Sequence, residues 1–195
     1  MVRHGQTDWN ASQKVQGHTD IPLNLEGEKQ AILLDEHFTD ISFDGVFSSD
    51  LVRVKKTAQL ATLSKKIAVQ TTALLRERFM GELEGAHRDE FLRLEKLRGD
   101  LTQEQQLVHR LVPSMESEEE VIARVITFLR EIAVGYAGKT VLVVSHGAVM
   151  RILLQHLGFA TQQHPIKVIE NTAYIQMRCD GVDFWVDETR GIETY

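Results

Sequence analysis

From Ser117 to Val134 the apolar residues Val121, Val125, Phe128, Leu129 and Ile132 recur at spacings of three and four. That period predicts a helix with one buried stripe. Ser117, with Glu120 three residues on, reads as its capping box. The acidic run Glu118-Glu119-Glu120 then reads as a first turn that suits the positive end of the helix dipole. Gly135 and Gly138 end the pattern, and Val141 to Val144 follows as an unbroken apolar run. Such a run predicts a strand covered on both faces, as in a parallel sheet. Ala148 to Leu157 returns to the helical period.

The earlier part of the chain repeats this alternation. Phe43 to Phe47 reads as a short buried strand, and Leu51 to Leu63 as a helix with Asp50 as its N-cap. Lys66 to Thr71 alternates as a strand. Phe91, Leu94 and Leu97 mark a helix over Asp89 to Leu97. Near the end, Asn171 to Cys179 and Val182 to Val186 flank Asp180-Gly181, the signature of a hairpin. Strands alternating with helices, closed by an antiparallel hairpin, predict an α/β fold.

Composition narrows the class. The 195 residues suit one domain with a sizeable core. A net charge of −6 argues against a nucleic-acid partner, although a few local arginines can still favour a small anion. Cys179 is the only cysteine, so no internal disulfide forms, as suits a reducing compartment. No apolar run reaches membrane-spanning length, and charged Arg3 interrupts the start with no apolar stretch after it. The expectation is a cytoplasmic protein with no membrane partner.

The candidate chemistry lies in two matching places. Arg3-His4-Gly5 follows the apolar start, and Ser145-His146-Gly147 follows the Val141 to Val144 strand. In open α/β sheets, ligands bind outside the carboxyl ends of the strands. If the two strands are neighbours, both imidazoles project into one crevice. A glycine after each lets the backbone turn and lets a ligand approach. The start of the helix after His146 adds N–H groups that favour an anion.

Other signals are weaker. Gly135 to Thr140 resembles the tail of a nucleotide-binding loop, but its first glycine is misplaced and it precedes its strand. His18, His37, His87, His109, His156 and His164 show no metal-ligand spacing. Ser145 lacks the glycines of a serine-hydrolase elbow. Trp9 and Trp185 read as packing residues, Trp9 with less certainty because it lies inside the candidate site loop.

These motifs, in this order, resemble the histidine phosphatase superfamily, with its phosphoglycerate-mutase-like fold. Arg3-His4-Gly5-Gln6-Thr7 and Asn10 resemble its opening signature, and Gln16 to Asn24 the loop that follows. Ser48 to Arg53, then Thr57-Ala58, resembles the segment with a second phosphate-binding arginine. Leu75 to Gly81 with Glu84-Gly85 resembles the segment of the general acid. Glu116-Ser117 and Val143 to Gly147 complete the order. The resemblance covers nearly the whole chain.

It implies a three-layer sandwich: a mostly parallel central sheet flanked by helices, one domain over residues 1–195, with 86–112 as a short helical cap insertion. It also implies a histidine acid-type phosphatase, a phosphoric monoester hydrolase in which His4 attacks phosphorus and forms a phosphohistidine. Arg3 and Arg53 would keep the His4 imidazole neutral and, with a cationic His146, carry the charge of the transferring phosphoryl group. No metal or cofactor would be needed. Glu77 would protonate the leaving oxygen and later deprotonate water. Asn10, Gln16, Gly17 and Gly147 would line the substrate site. The implied partner is a small phosphorylated metabolite, the implied assembly a monomer or homodimer.

The chain also departs from that pattern. Only Met1 and Val2 precede Arg3, where the family has a complete apolar strand: either the chain is shortened or the true start lies upstream, and a shortened central strand would affect stability and the placement of His4. Pro113 to Ser117 replaces a glycine-rich approach, and Val54 stands where a small residue is common. Ala148 stands where the mutase branch carries Asn, and the insertion before Glu116 is short. Both favour phosphatase over the alternative, a cofactor-dependent phosphoglycerate mutase. A non-catalytic phosphate-binding regulator is the reading from another class. The cap residues Arg88, Arg93, Lys96, Arg98 and His109 show no pattern that names a substrate.

Overall fold

The computed structural model describes residues 1–161 and 164–195. In chain order the elements are β1 (Val2–Arg3), α1 (Asp8–Ala11), α2 (Leu25–His37), β2 (Gly45–Ser49), α3 (Val52–Ala61), β3 (Val69–Thr72), α4 (Arg88–Leu97), α5 (Gln103–Val108), α6 (Glu118–Gly135), β4 (Val141–Ser145), α7 (Gly147–His156), β5 (Ile166–Cys179) and β6 (Phe184–Thr194). The six strands form one sheet in the order β3-β2-β4-β1-β5-β6. The pairs from β3 to β1 are parallel, and β5 and β6 run antiparallel to their neighbours. The fold is therefore the expected α/β one, with a mostly parallel sheet.

The sheet is covered on both faces because its central strands are apolar on both. Along β4, Val143 packs with α6 and α7 against Val121, Phe128, Ile132, Val149 and Leu153. Leu142 and Val144 point the other way, onto Leu34 of α2 and Val54, Ala58 and Ala61 of α3. Full burial of each such aliphatic side chain contributes roughly 1.5–3 kcal/mol. The α6 stripe read from the sequence is buried at all five positions, and the capping box between Ser117 and Glu120 forms.

Three expectations changed in detail. The helix after β2 is not capped by Asp50. Leu51 occupies its N-cap without a side-chain bond, and Asp20 supplies the acceptor for the Val52 N–H at 2.8 Å. Asp50 instead holds Arg76 through two hydrogen bonds, which pull its carboxyl below the usual range. The helix α2 went unread because its apolar positions are diluted: Leu25, Ile32 and Leu33 are exposed. Its N-terminus is nonetheless marked, since the Asn24 side chain accepts the Gly27 N–H. Third, the terminal strands exceed their expected lengths, because β5 and β6 pair with three irregularities along the way.

β1 is short but central. It lies between β4 and β5, with Arg3 opposite Ser145 and Val2 opposite both Val144 and Tyr174. Met1 extends the pairing: its amino group donates to the Ile175 carbonyl and its own carbonyl accepts the Ile175 N–H. No helix is long and apolar enough to cross a membrane among the described residues.

Candidate active site

The parallel strands β1, β2 and β4 deliver their carboxyl ends to the same edge of the sheet. The Arg3–Ser145 register makes His4 and His146 the next residues on adjacent strands, and the His4 N–H donates to the Ser145 carbonyl at 3.1 Å. The two rings meet edge to face with centroids 5.2 Å apart. Arg53, on the first turn of the helix after β2, reaches the same point and is fully buried.

Hydrogen bonds fix both imidazoles in opposite tautomers. His4 Nδ1 lies 2.7 Å from the Gly5 carbonyl, which can only accept, so Nδ1 carries the proton. His4 Nε2 is left with its lone pair. Arg53 donates from one terminal nitrogen to His146 Nδ1 at 3.3 Å, so the His146 proton sits on Nε2. The other guanidinium bonds of Arg53 go to the carbonyls of Thr19 and Gly17, at 2.9 and 2.8 Å. Arg3 donates to the Ile169 carbonyl, which ties the end of β1 to β5.

The electrostatics follow from burial first and charge second. His4 is held well below the ordinary histidine value by burial, then by Arg53, then by Arg3. Burial therefore outweighs the arginines that the sequence reading credited. Burial, then Arg53, likewise hold His146 well below the ordinary histidine value, so the expected cationic His146 is not its state without a bound dianion. Burial lowers Arg3 to about 10, partly offset by Glu77.

Among the described residues, five side-chain nitrogens are buried without any partner: Nε of Arg3 and Arg53 and Nε2 of His146 at the pocket, and one nitrogen each of Arg78 and Arg98 further along the cleft. Unsatisfied buried N–H groups are costly and rare. Three of them, on three side chains around the His4 ring, form a donor set suited to an oxyanion such as a phosphoryl group.

Glu77 sits at the start of α7. Its carboxylate accepts the N–H groups of Ala148 and Val149 at 3.2 Å and that of Arg78 at 2.9 Å. Helix N-termini favour this placement of an anion. Glu82 and Glu84, the neighbouring acids, do other things. Glu84 accepts from His18 N–H, Thr19 N–H, the Thr19 hydroxyl and Met80 N–H, and so shapes the Gln16–Asp20 loop. Glu82 is exposed.

A cleft of about 1710 Å³ opens over these groups. Its wall includes Arg3, His4, Asn10, Gln16, Gly17, Arg53, Glu77 and Gly147, so eight of the nine expected site residues line it. His146 is the exception: it stands behind, fully buried against His4.

Some of the eight are held structurally. Asn10 completes a capping box with Thr7 and accepts from Asn171, and Gln16 accepts the Thr7 hydroxyl. The two His-Gly glycines answer to the protein rather than to a ligand. A Cβ on Gly5 would lie 2.4 Å from the Gly27 carbonyl of α2, and one on Gly147 would lie 3.1 Å from Arg3 Nε.

Several residues around the site were not legible in the sequence. Arg124 of α6 donates to the carbonyls of Leu74, Arg76 and Glu77 and to the Glu116 carboxylate, and so holds the whole Glu77 segment. His18 contributes a ring nitrogen 2.8 Å from the Glu77 carbonyl. Arg151, on α7, and Asn171, on β5, join Arg88 on the cleft wall. The only sequence signal for Arg124 was an arginine beside the buried stripe of α6. Two discounted features behave as expected: Ser145 donates to the Leu75 carbonyl, and Gly135 ends α6 before a turn. The tryptophans do not both pack: Trp9 lines the cleft, and Trp185 is 45% exposed.

A model of the histidine phosphatase superfamily (branch 1) matches residues 1–190. The chain belongs to the histidine phosphatase superfamily. Within this superfamily it is similar to a protein of Bacillus subtilis (strain 168) named uncharacterized phosphatase PhoE, at 35% identity over 157 residues, 80% of this chain and 75% of that one. It is also similar to phosphoglycerate mutase-like protein 4 of Arabidopsis thaliana, at 31% identity over 98% of this chain and 83% of that one. Among solved structures, a phosphoglycerate mutase from Bacillus anthracis superposes with a TM-score of 0.82 at 27% identity, covering 97% and 90% of the two chains. Superfamily membership makes the chain a phosphatase or a mutase; the relatives carry both names.

Proposed function

We propose that the protein is a metal-independent phosphomonoesterase that hydrolyses small phosphorylated metabolites through a phosphohistidine on His4. The observation that carries this reading is the His4 tautomer. With Nδ1 donated to the Gly5 carbonyl, Nε2 keeps a free lone pair among the partnerless N–H groups of Arg3, Arg53 and His146.

The reaction then runs in two displacements. Nε2 of His4 attacks phosphorus while the bond to the ester oxygen breaks. The arginines and His146 bear the charge on the equatorial oxygens. The incoming dianion favours protonation of His146, which is otherwise held neutral. Glu77, carrying a proton taken up from solvent as the substrate binds, gives it to the departing alkoxide, and as carboxylate it then takes one from the water that cleaves phospho-His4. Asn10, Gln16, Gly17 and Gly147 border the phosphoryl group, and residues 86–112 act as a cap over the leaving alcohol. Ala148, at the position where the mutase branch carries Asn, supports hydrolysis over mutase chemistry.

The test is a screen of phosphorylated metabolites for release of inorganic phosphate. It should be coupled to acid-labile labelling of His4 after brief exposure to substrate. His4→Ala should lose both label and turnover, by at least about 10⁴-fold, as expected when a nucleophile is removed. Retention of phosphate on an isomerised product would establish the mutase instead. Loss of activity in EDTA with recovery on Mg²⁺ or Zn²⁺ would overturn the metal-free mechanism.

A further inference from the structure

Beyond the phosphoryl pocket the cleft contains a second cluster of buried charge. Arg78, next to Glu77 in sequence, and Arg98, at the end of α4, are 3% and 5% exposed. Both converge on one oxygen. Glu118 Oε1, on the first residue of α6, lies 2.8 Å from Arg98 and 3.5 Å from Arg78. Arg98 also donates to Glu95 at 2.9 Å and to the Gln106 carbonyl of α5 at 3.1 Å. Arg78 donates to the Glu116 carbonyl at 2.7 Å. Four segments therefore meet at Glu118: the Glu77 loop, α4, α5 and the start of α6.

The start of α4 is also tied by the Arg88 N–H, which donates to the Gln13 carbonyl at 2.7 Å, but the rest of the helix is lightly held. Helix α4 has no fully buried residue. Phe91 and Leu94 rest part-buried on the small apolar cluster of Met80, Leu83 and Met115. Yet Arg88, Phe91, Leu92 and Glu95 of α4 all line the cleft. The cluster contains two arginines and two glutamates, so it is formally neutral. Removing one member leaves an uncompensated buried charge, which is far costlier than replacing an oppositely charged pair together.

We propose that Glu118 is a positioning residue: by gathering Arg98 and Arg78 on one oxygen, it fixes the α4 wall of the cleft relative to the Glu77 segment and so sets which alcohols the site accepts. This inference rests on the phosphomonoesterase reading for its substrate consequence, though not for the mechanical coupling. It separates two functions within one cleft. Arg3, Arg53 and His146 would read the phosphoryl group, and the Glu118 cluster would shape the space for what is attached to it.

The test compares Glu118→Gln, Arg98→Met and the double variant with the wild-type chain. Glu118→Gln leaves two arginines facing one glutamate, Arg98→Met leaves the reverse, and the double variant is neutral again. Amide hydrogen exchange over residues 88–108 should quicken in each single variant and return toward wild type in the double variant. KM for an alkyl phosphate large enough to reach α4 should rise at least about five-fold in Glu118→Gln and recover in the double variant, with kcat little changed.

The inhibition constant of inorganic phosphate, which needs only the inner pocket, should stay within about two-fold. Equal weakening of phosphate and alkyl phosphate would make Glu118 a general support of the fold and overturn the proposal. Additive effects in the double variant, or unchanged exchange in the singles, would overturn it too. If no phosphomonoester is turned over by the wild type, the functional reading fails. The exchange pattern and phosphate binding, followed by calorimetry, then decide the coupling alone. Coupled exchange with phosphate binding intact supports it, and uncoupled exchange overturns it.

Discussion

The phosphoryl pocket and the α4 wall border the same cleft but are built on opposite principles. In the pocket, Arg3, His4, His146 and Arg53 lie at the ends of buried parallel strands or on the helix after one, and only Glu77 comes from a loop. His4 and His146 follow paired residues of β1 and β4, and Arg53 spends its guanidinium on backbone carbonyls. Backbone acceptors cannot change rotamer, so the groups are preorganised at little further entropic cost. The wall arginines also bond backbone carbonyls, of Glu116 and Gln106, but they meet each other only through the movable Glu118 carboxylate, with thin apolar support. The difference teaches that the histidine pocket is fixed by the sheet, while the outer wall of the cleft is held by a few replaceable contacts.

The largest break in this comparison is expected at Arg53. Arg53→Met removes the donors to Gly17, Thr19 and His146 together. Loss of an arginine that stabilises a transferring phosphoryl group should lower kcat by about 10³-fold or more. The freed carbonyls should also cost about 1–3 kcal/mol each where no water replaces the arginine. Steady-state kinetics and urea unfolding check both.

Glu77→Gln comes next. It should slow an alkyl phosphate by about 10²–10⁴-fold while sparing the first turnover of p-nitrophenyl phosphate, whose leaving group needs no proton. Equal first-turnover losses would remove Glu77 from the acid role and leave it as the cap of α7.

A smaller effect is expected from acid. His4 and His146 stay neutral in the folded protein below the ordinary histidine value of 6.5, while the unfolded chain takes up protons there. The unfolded state then binds more protons, so stability falls as pH falls below 6.5. The slope is at most about 1.4 kcal/mol per pH unit for each histidine. Above that value neither group contributes a slope. Urea midpoints between pH 7.5 and 5 measure it, and His4→Ala should flatten the dependence by removing one of the two groups.

The smallest effect is expected on the wall itself. Leu92 lines the cleft yet is 41% exposed. Leu92→Ala should change stability by under about 0.5 kcal/mol, as for an ordinary surface substitution. Its effect should appear in KM for bulky substrates and not in phosphate inhibition. A large loss of stability there would show that the wall is anchored more firmly than its contacts suggest.

Much of the fold was legible because its main elements carry strong local patterns. The α6 stripe, the β4 run and the two His-Gly sites needed no tertiary context. α2 was missed because three of its apolar residues face outward, which blurs the helical period. The cap of α3 was misplaced because its acceptor, Asp20, lies thirty-two residues away in sequence. Short-range capping rules see only neighbours along the chain.

The sequence by itself determined which residue types were available for the chemistry and on which elements they sit. It placed His4 and His146 at strand ends, and the order of its motifs named the superfamily that the match over residues 1–190 bears out. Only the tertiary structure decided that β1 and β4 are neighbours, and so that the two rings meet 5.2 Å apart. It also decided the protonation of the histidines, because a pKa depends on burial and on charges brought near by folding. Arg124, Glu84 and Glu118 acquire their roles in the same way. Their partners come from segments far apart in the chain, so no local pattern could mark them.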